Sequence, residues 1–96
     1  MESRIDYYAA APEVMKAMLA LEKAVVTSGL EKSLIELVKT RASQINGCAF
    51  CIDMHTRDAM KGGETATRLL LLDAWREAPF YSPRERAALA WTEALT

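Results

Sequence analysis

Two cysteines stand three apart, at Cys48 and Cys51, and the chain's one histidine follows four residues later at His55. On a helix those spacings put the three side chains on one face. Thiolate is the reactive form of cysteine, and an imidazole one turn away can take the thiol proton. The pattern points to dithiol redox chemistry: a thiolate attacks an oxidant, becomes a sulfenic acid, and the second cysteine closes a disulfide. Which cysteine attacks first is open at this level. The positive end of a helix favours a thiolate at Cys48, whereas contact with His55 favours one at Cys51.

The same residues admit other chemistries. Cys48, Cys51 and His55 have zinc-like spacing, with Glu36 as a candidate fourth ligand of a metal-binding helical module. A third reading is a non-enzymatic assembly protein whose cysteine pair senses redox state. Against the zinc module stands the number of helices, enough to build a core without a metal.

Those helices are legible from periodicity and punctuation. Pro12 opens a first helix, with Val14, Met15, Met18, Leu19, Leu21, Ala24 and Val25 at helical spacing and Gly29 as its stop, giving about 12–28. Residues 1–7 read as a loose lead-in that Tyr7 and Tyr8 anchor. A second helix runs from about Glu31 to Ile45, with Leu34, Val38, Ala42 and Ile45 as its apolar line, widened by Ile35 and Leu37, and Glu36, Thr40 and Ser43 on another. Asn46-Gly47 reverses the chain. The third helix spans about Cys48 to Met60 and ends at Gly62-Gly63. A fourth runs from about Glu64 to Trp75 or Ala78, closed by Pro79. Ser82-Pro83-Arg84-Glu85 then reads as an N-cap, a first-turn proline and a capping-box glutamate opening a last helix. No period-two strand is found, so the fold class is all-α, about five helices in one domain.

Folding the second and third helices back to back about Asn46-Gly47 has a consequence. Glu36 lies about ten residues before the turn and His55 about eight after it, so at 1.5 Å per residue they differ in level by only about 3 Å. Glu36 is thereby placed to orient His55 or exchange protons with it. The competing reading makes Ser33-x-x-Glu36 a capping box that ties down a helix start. Phe50 and Met54 are assigned to the core, Arg41 and Gln44 to the site's support or the solvated face, and Arg57 and Asp58 to water.

Composition sets the outer bounds. With 96 residues, 51% hydrophobic and 26% charged, the chain is a small globular domain. Its apolar content is high for that size, which implies faces completed by a partner subunit. A net charge of −1 with interspersed signs provides no basic stripe for nucleic acid. No apolar run is long enough for a membrane span, and Met1 to Asp6 lacks a signal-peptide pattern, so a cytoplasmic location is expected. The last helix runs to Thr96 without a stop signal, which leads us to expect a fragment or packing supplied by another subunit.

The string from Arg41 to His55, with Glu36 before it and Gly62 after, closely resembles the alkylhydroperoxidase D-like branch of the carboxymuconolactone decarboxylase superfamily. The specific match covers about residues 30 to 63. The resemblance implies an all-helical fold assembled into trimers or hexamers, and thiol peroxidase or disulfide reductase chemistry with no metal or organic cofactor. It implies a peroxide substrate, organic or hydrogen peroxide, and a dithiol, thioredoxin-like or lipoyl reductant. By the same resemblance Cys51 is the peroxide-attacking cysteine, Cys48 its resolving partner, His55 the base and Glu36 a member of the proton relay. The best-known branch carries a second histidine just before its second cysteine. Here that position is Phe50, so the relay is shorter or runs through water.

Overall fold

A computed structural model describes residues 4–96 of the chain. All regular structure among the described residues is helical, with no strand. They form two compact units, one ending at Leu30 and one from Glu31 to Thr96.

The first unit holds α1 (Tyr7–Ala10) and α2 (Pro12–Val26). The lead-in expected over 1–7 falls partly on residues 1–3, which lie outside the described residues. From Asp6 onward the expectation is corrected. The Asp6 carboxylate accepts the N–H groups of Tyr8 and Ala9, a cap strong enough to wind one short helix. Pro12 starts α2 as expected, and α2 ends at Val26, two residues early, because Thr27 and Ser28 turn their hydroxyls back onto the Lys23 and Val25 carbonyls. This unit by itself leaves Val14, Met18, Leu21 and Val25 uncovered.

The second unit contains α3 (Lys32–Asn46), α4 (Ala49–Lys61), α5 (Ala66–Leu70), a 3₁₀ turn (Leu72–Ala74) and α6 (Pro83–Leu95). Helix α3 is central and packs against both α4 and α6. The core joins Leu37, Leu72, Trp75, Tyr81 and Leu89, with Ala78 and Ala90 against it. Each large apolar side chain buried there contributes roughly 1.5–3 kcal/mol.

The single helix expected from Glu64 to Trp75 is broken after Leu70. Leu69, Leu72 and Trp75 are all buried, at intervals of three. A 3₁₀ turn has three residues per turn and aligns such positions, whereas an α-helix would swing them apart. Burial of Leu72 and Trp75 therefore selects the tighter winding. Two arginines then secure the break. Arg86 donates to the carbonyls of Trp75 and Arg76 at 2.9 and 2.7 Å. Arg68 joins Glu64 to Glu85, and the Tyr81 hydroxyl donates to the Arg68 carbonyl.

Ser82 caps α6 in the expected box: its hydroxyl accepts from Glu85 N–H, and the Glu85 carboxylate accepts from Ser82 N–H. Helix α3 meets α6 through a polar clamp. Glu93 accepts from Arg41 at 2.8 and 2.9 Å, from the Trp75 indole N–H at 3.2 Å and from Arg76 at 3.1 Å.

Arg41, assigned above to the site's support or to solvent, thus ties two helices together. Its hydrogen bond holds the Glu93 carboxyl below its ordinary value of 4.5, against a smaller opposing effect of burial. A depressed carboxyl adds stability that is complete above the ordinary value and lost as pH falls through the depressed one. Glu93→Gln should therefore lower stability at neutral pH by on the order of 1 kcal/mol. The difference from wild type should shrink as pH falls below the ordinary carboxyl value. Urea unfolding from neutral pH downward reads it, and a pH-independent difference would refute the assignment.

Candidate functional site

The site is built on the α3–α4 hairpin. Gly47 ends α3 in the left-handed region, at φ 68°, and its N–H donates to the Gln44 carbonyl. A side chain there would strain the backbone, so glycine is what allows the abrupt reversal. Cys48 follows as the N-cap of α4, not its first residue as expected. The Cys48 sulfur accepts the Cys51 N–H at 3.2 Å. Capping an exposed donor at the positive helix end is a role in which sulfur replaces the usual oxygen.

Cys48 and Cys51 are joined as a disulfide, with Cα atoms 5.3 Å apart. One turn on from Cys51, His55 Nδ1 lies 3.1 Å from Glu36 Oε2. The two side chains are 17% and 13% exposed, so the pair is largely withdrawn from water yet still reachable. If Nδ1 carries the proton, it donates to the carboxylate, leaving Nε2 as the free base. The four residues singled out by type and spacing are thus held on two adjacent helices, and the level match between Glu36 and His55 holds to hydrogen-bond distance.

The capping-box reading of Glu36 is corrected. Helix α3 begins at Lys32 with Glu31 at its N-cap, so Ser33 lies inside the helix. The Glu31 carboxylate makes no cap and instead accepts two bonds of 2.9 Å from Arg84. Glu36 is free for His55.

Other assignments move as well. Phe50, expected in the core, is 76% exposed, and Met54 is 39% exposed. Both point away from α3, because the α4 face toward α3 is taken by the Cys51–His55–Ala59 line. On α3 the apolar line is turned from its expected position. Ile45 is 38% exposed, while Thr40 and Ser43 are buried with their hydroxyls on the Glu36 and Lys39 carbonyls. Arg57 faces water in an ion pair with Asp53, as expected, whereas Asp58 is half-buried. The Arg41–Glu93 clamp, 52 residues apart, left no signal in the sequence.

Concavities adjoin the hairpin. A notch of about 90 Å³ is walled by Ser33, Glu36, Asp58, Ala59 and Gly62. An open cleft of about 600 Å³ runs along Ile52, Thr56 and Met60, with Arg41, Gln44 and Leu69 on its other sides. Neither is lined by the cysteines. Among the described residues no group of three or more His, Cys, Asp or Glu side chains is arranged to hold a metal ion.

An all-helical protein in which a helical hairpin holds a cysteine pair beside a carboxylate–imidazole pair is the class that this geometry defines. The chain belongs to the carboxymuconolactone decarboxylase family, which it matches over residues 12–94. It is 53% identical over its whole length to the uncharacterized protein YdfG of Bacillus subtilis, of which it spans 65%. With the uncharacterized protein YnjA of Escherichia coli it shares 33% identity over 72% of the chain and 38% of that protein. In structure it is similar to a crystallised Agrobacterium tumefaciens protein of unknown function, provisionally designated the antioxidant defence protein AhpD. There the TM-score is 0.86 and the identity 48%, over 98% of this chain and 64% of that one. The chain thus spans less than two thirds of the length of these relatives. The resemblance carried by the Arg41–His55 string is borne out at the level of the superfamily.

If Ser33 caps nothing, Ser33→Ala should change stability by no more than about 0.5 kcal/mol. Loss of a true N-cap would cost about 1 kcal/mol. Denaturant titration separates the two, and a cap-sized loss would restore the capping-box reading.

Proposed function

We propose that this chain carries a cysteine-based peroxidase site, a dithiol–disulfide oxidoreductase of antioxidant defence. The observation that carries the reading is a cysteine pair, disulfide-bonded across one helical turn, one turn from a histidine that a part-buried carboxylate holds at 3.1 Å. The antioxidant designation of the Agrobacterium relative supports it.

In the reduced protein His55 Nε2 takes the Cys51 proton, and the thiolate attacks the terminal oxygen of a peroxide ROOH. The O–O bond breaks, Cys51 becomes a sulfenic acid, and the leaving alkoxide takes the proton back from His55 as ROH. Cys48 thiolate then attacks the Cys51 sulfur and expels water, with one proton supplied through His55, to form the disulfide. An external dithiol, thioredoxin-like or lipoyl, returns two electrons and two protons and leaves as its own disulfide. Glu36 holds the imidazole in the tautomer this cycle needs and exchanges protons with solvent through the adjoining notch. Cys51 rather than Cys48 is the attacking residue because His55 is one turn from Cys51 and two from Cys48.

A pair that must be re-reduced in each cycle fits a reducing, cytoplasmic compartment. Phe50, Leu70, Trp91 and Leu95, each more than half exposed, support association with further copies of the chain in a homo-oligomer. No helix of the described residues is long and apolar enough to cross a membrane.

Stopped-flow consumption of cumene hydroperoxide and hydrogen peroxide by the pre-reduced protein tests the reading. Cys51→Ser should fall to the uncatalysed rate, and Glu36→Gln should slow the reaction roughly 10²–10⁴-fold, the range of a lost general acid–base contribution. An unchanged rate in Cys51→Ser would sink the proposal.

A further inference from the structure

Thr40 is buried completely, and nothing above gives its hydroxyl a task beyond its own helix. The hairpin's register decides what it faces. At the open end Glu36 meets His55, and at the closed end the Cys48 N–H donates to the Ser43 carbonyl at 3.1 Å. Thr40 lies four residues from Glu36 toward the turn, and Cys51 lies four residues from His55 toward the same turn. With the same rise per residue in both helices, Thr40 sits at the level of Cys51. It also occupies the line of α3, Glu36–Thr40–Ser43, that faces α4.

The Thr40 hydroxyl donates to the Glu36 carbonyl at 2.7 Å. That carbonyl is also served by the helix's own ladder, so the hydroxyl hydrogen is free to turn elsewhere. In the oxidised protein Cys51 sulfur is bonded to Cys48 and carries no charge to attract it. Reduction by an external dithiol breaks the S–S bond with two electrons and two protons, and the donor leaves as a disulfide. Cys51 is then a thiol in equilibrium with its thiolate, at a buried level where a hydrogen bond to charge is strong.

We propose that Thr40 is the hydroxyl that stabilises the Cys51 thiolate, turning its O–H from the Glu36 carbonyl to the Cys51 sulfur when the disulfide opens. The inference rests on the dithiol reading above and deepens it: it says what sets the fraction of Cys51 ready to attack. Packing alone would be satisfied by valine, which has the same shape and no hydroxyl.

The titratable groups on the two packed faces are Cys48, His55 and Asp58 on α4 and Glu36 and Lys39 on α3. They stay constant across substitutions at Thr40. In a Cys48→Ser background, where Cys51 is the one thiol, the rate of iodoacetamide alkylation against pH gives its pKa. Thr40→Val should raise that pKa by about one unit, the size of one hydrogen bond to a charged group, and slow alkylation about tenfold on the acid side. Thr40→Ala should do the same, which guards against a folding defect particular to valine. Thr40→Ser should restore the wild-type value. An unshifted pKa in both Val and Ala variants, or a serine variant that behaves like valine, overturns the proposal. Because the readout is ionisation rather than turnover, absence of peroxide consumption would count against the proposed function and leave this inference to its own result.

Discussion

The reversal at Gly47 is the constraint on which the site depends. A glycine in the left-handed region ends α3 within one residue and starts α4 one residue later. Nothing longer would keep the two helices at a fixed level. A one-residue slip in that register would move each side chain of α4 by 1.5 Å along the axis and 100° around it. His55 would then leave Glu36, and the disulfide would leave the protected face. The arrangement of the four residues therefore depends on the turn that sets their level as much as on their own types.

What holds the hairpin as a unit is the rest of the domain. Helix α3 cannot rotate to relieve a poor fit to α4, because its opposite side is committed to α6. Leu37 enters the core beside Leu89, and Arg41 reaches Glu93 nearly three turns nearer the hairpin's closed end than Arg84 reaches Glu31. The outer pair, Arg84–Glu31, is more than half exposed on both sides and adds little. The inner pair is 15% and 23% exposed and shares its carboxylate with an indole N–H, so it fixes both distance and rotation. A helix clamped on one side presents a defined face on the other, and that face carries Glu36.

Most of this architecture could be read in the sequence because its boundaries rest on local chemistry. The Ser82-Pro83-Arg84-Glu85 start, the Gly47 stop and the Pro12 start each act within a turn of themselves, and each is found where the residues put it. The level of Glu36 against His55 was legible for a related reason: it needs only helix rise and one tight turn. What escaped depends on distant partners. The four leucines from Leu69 to Leu72 carry no mark of where an α-helix gives way to a 3₁₀ turn. That choice is made by burial of Leu72 and Trp75 against α6. Ser33 matched a capping box in pattern, but the helix begins one residue earlier, at Lys32, and the Glu31 carboxylate at its N-cap is held by Arg84, 53 residues away. Phe50 was assigned inward because it is apolar, yet the inward face of α4 was already full.

That last exchange bears on the chemistry. Between two cysteines that must reach each other across one turn, only one side of the helix faces α3, and the residue between them points away from it. Phe50, at 76% exposure, is apolar and places no titratable group between the two cysteines. The inner line of the hairpin sets Glu36, Thr40 and Ser43 on α3 against Cys48, Cys51 and His55 on α4. A polar stripe buried in this way costs stability unless each group is satisfied. Here the Thr40 and Ser43 hydroxyls are satisfied within their own helix, on the Glu36 and Lys39 carbonyls, so the stripe can stay buried. The outward phenylalanine and the inward hydroxyls thus follow from one division of faces: α4 turns its Cys51–His55–Ala59 line to a polar stripe of α3 and leaves Phe50 and Met54 exposed.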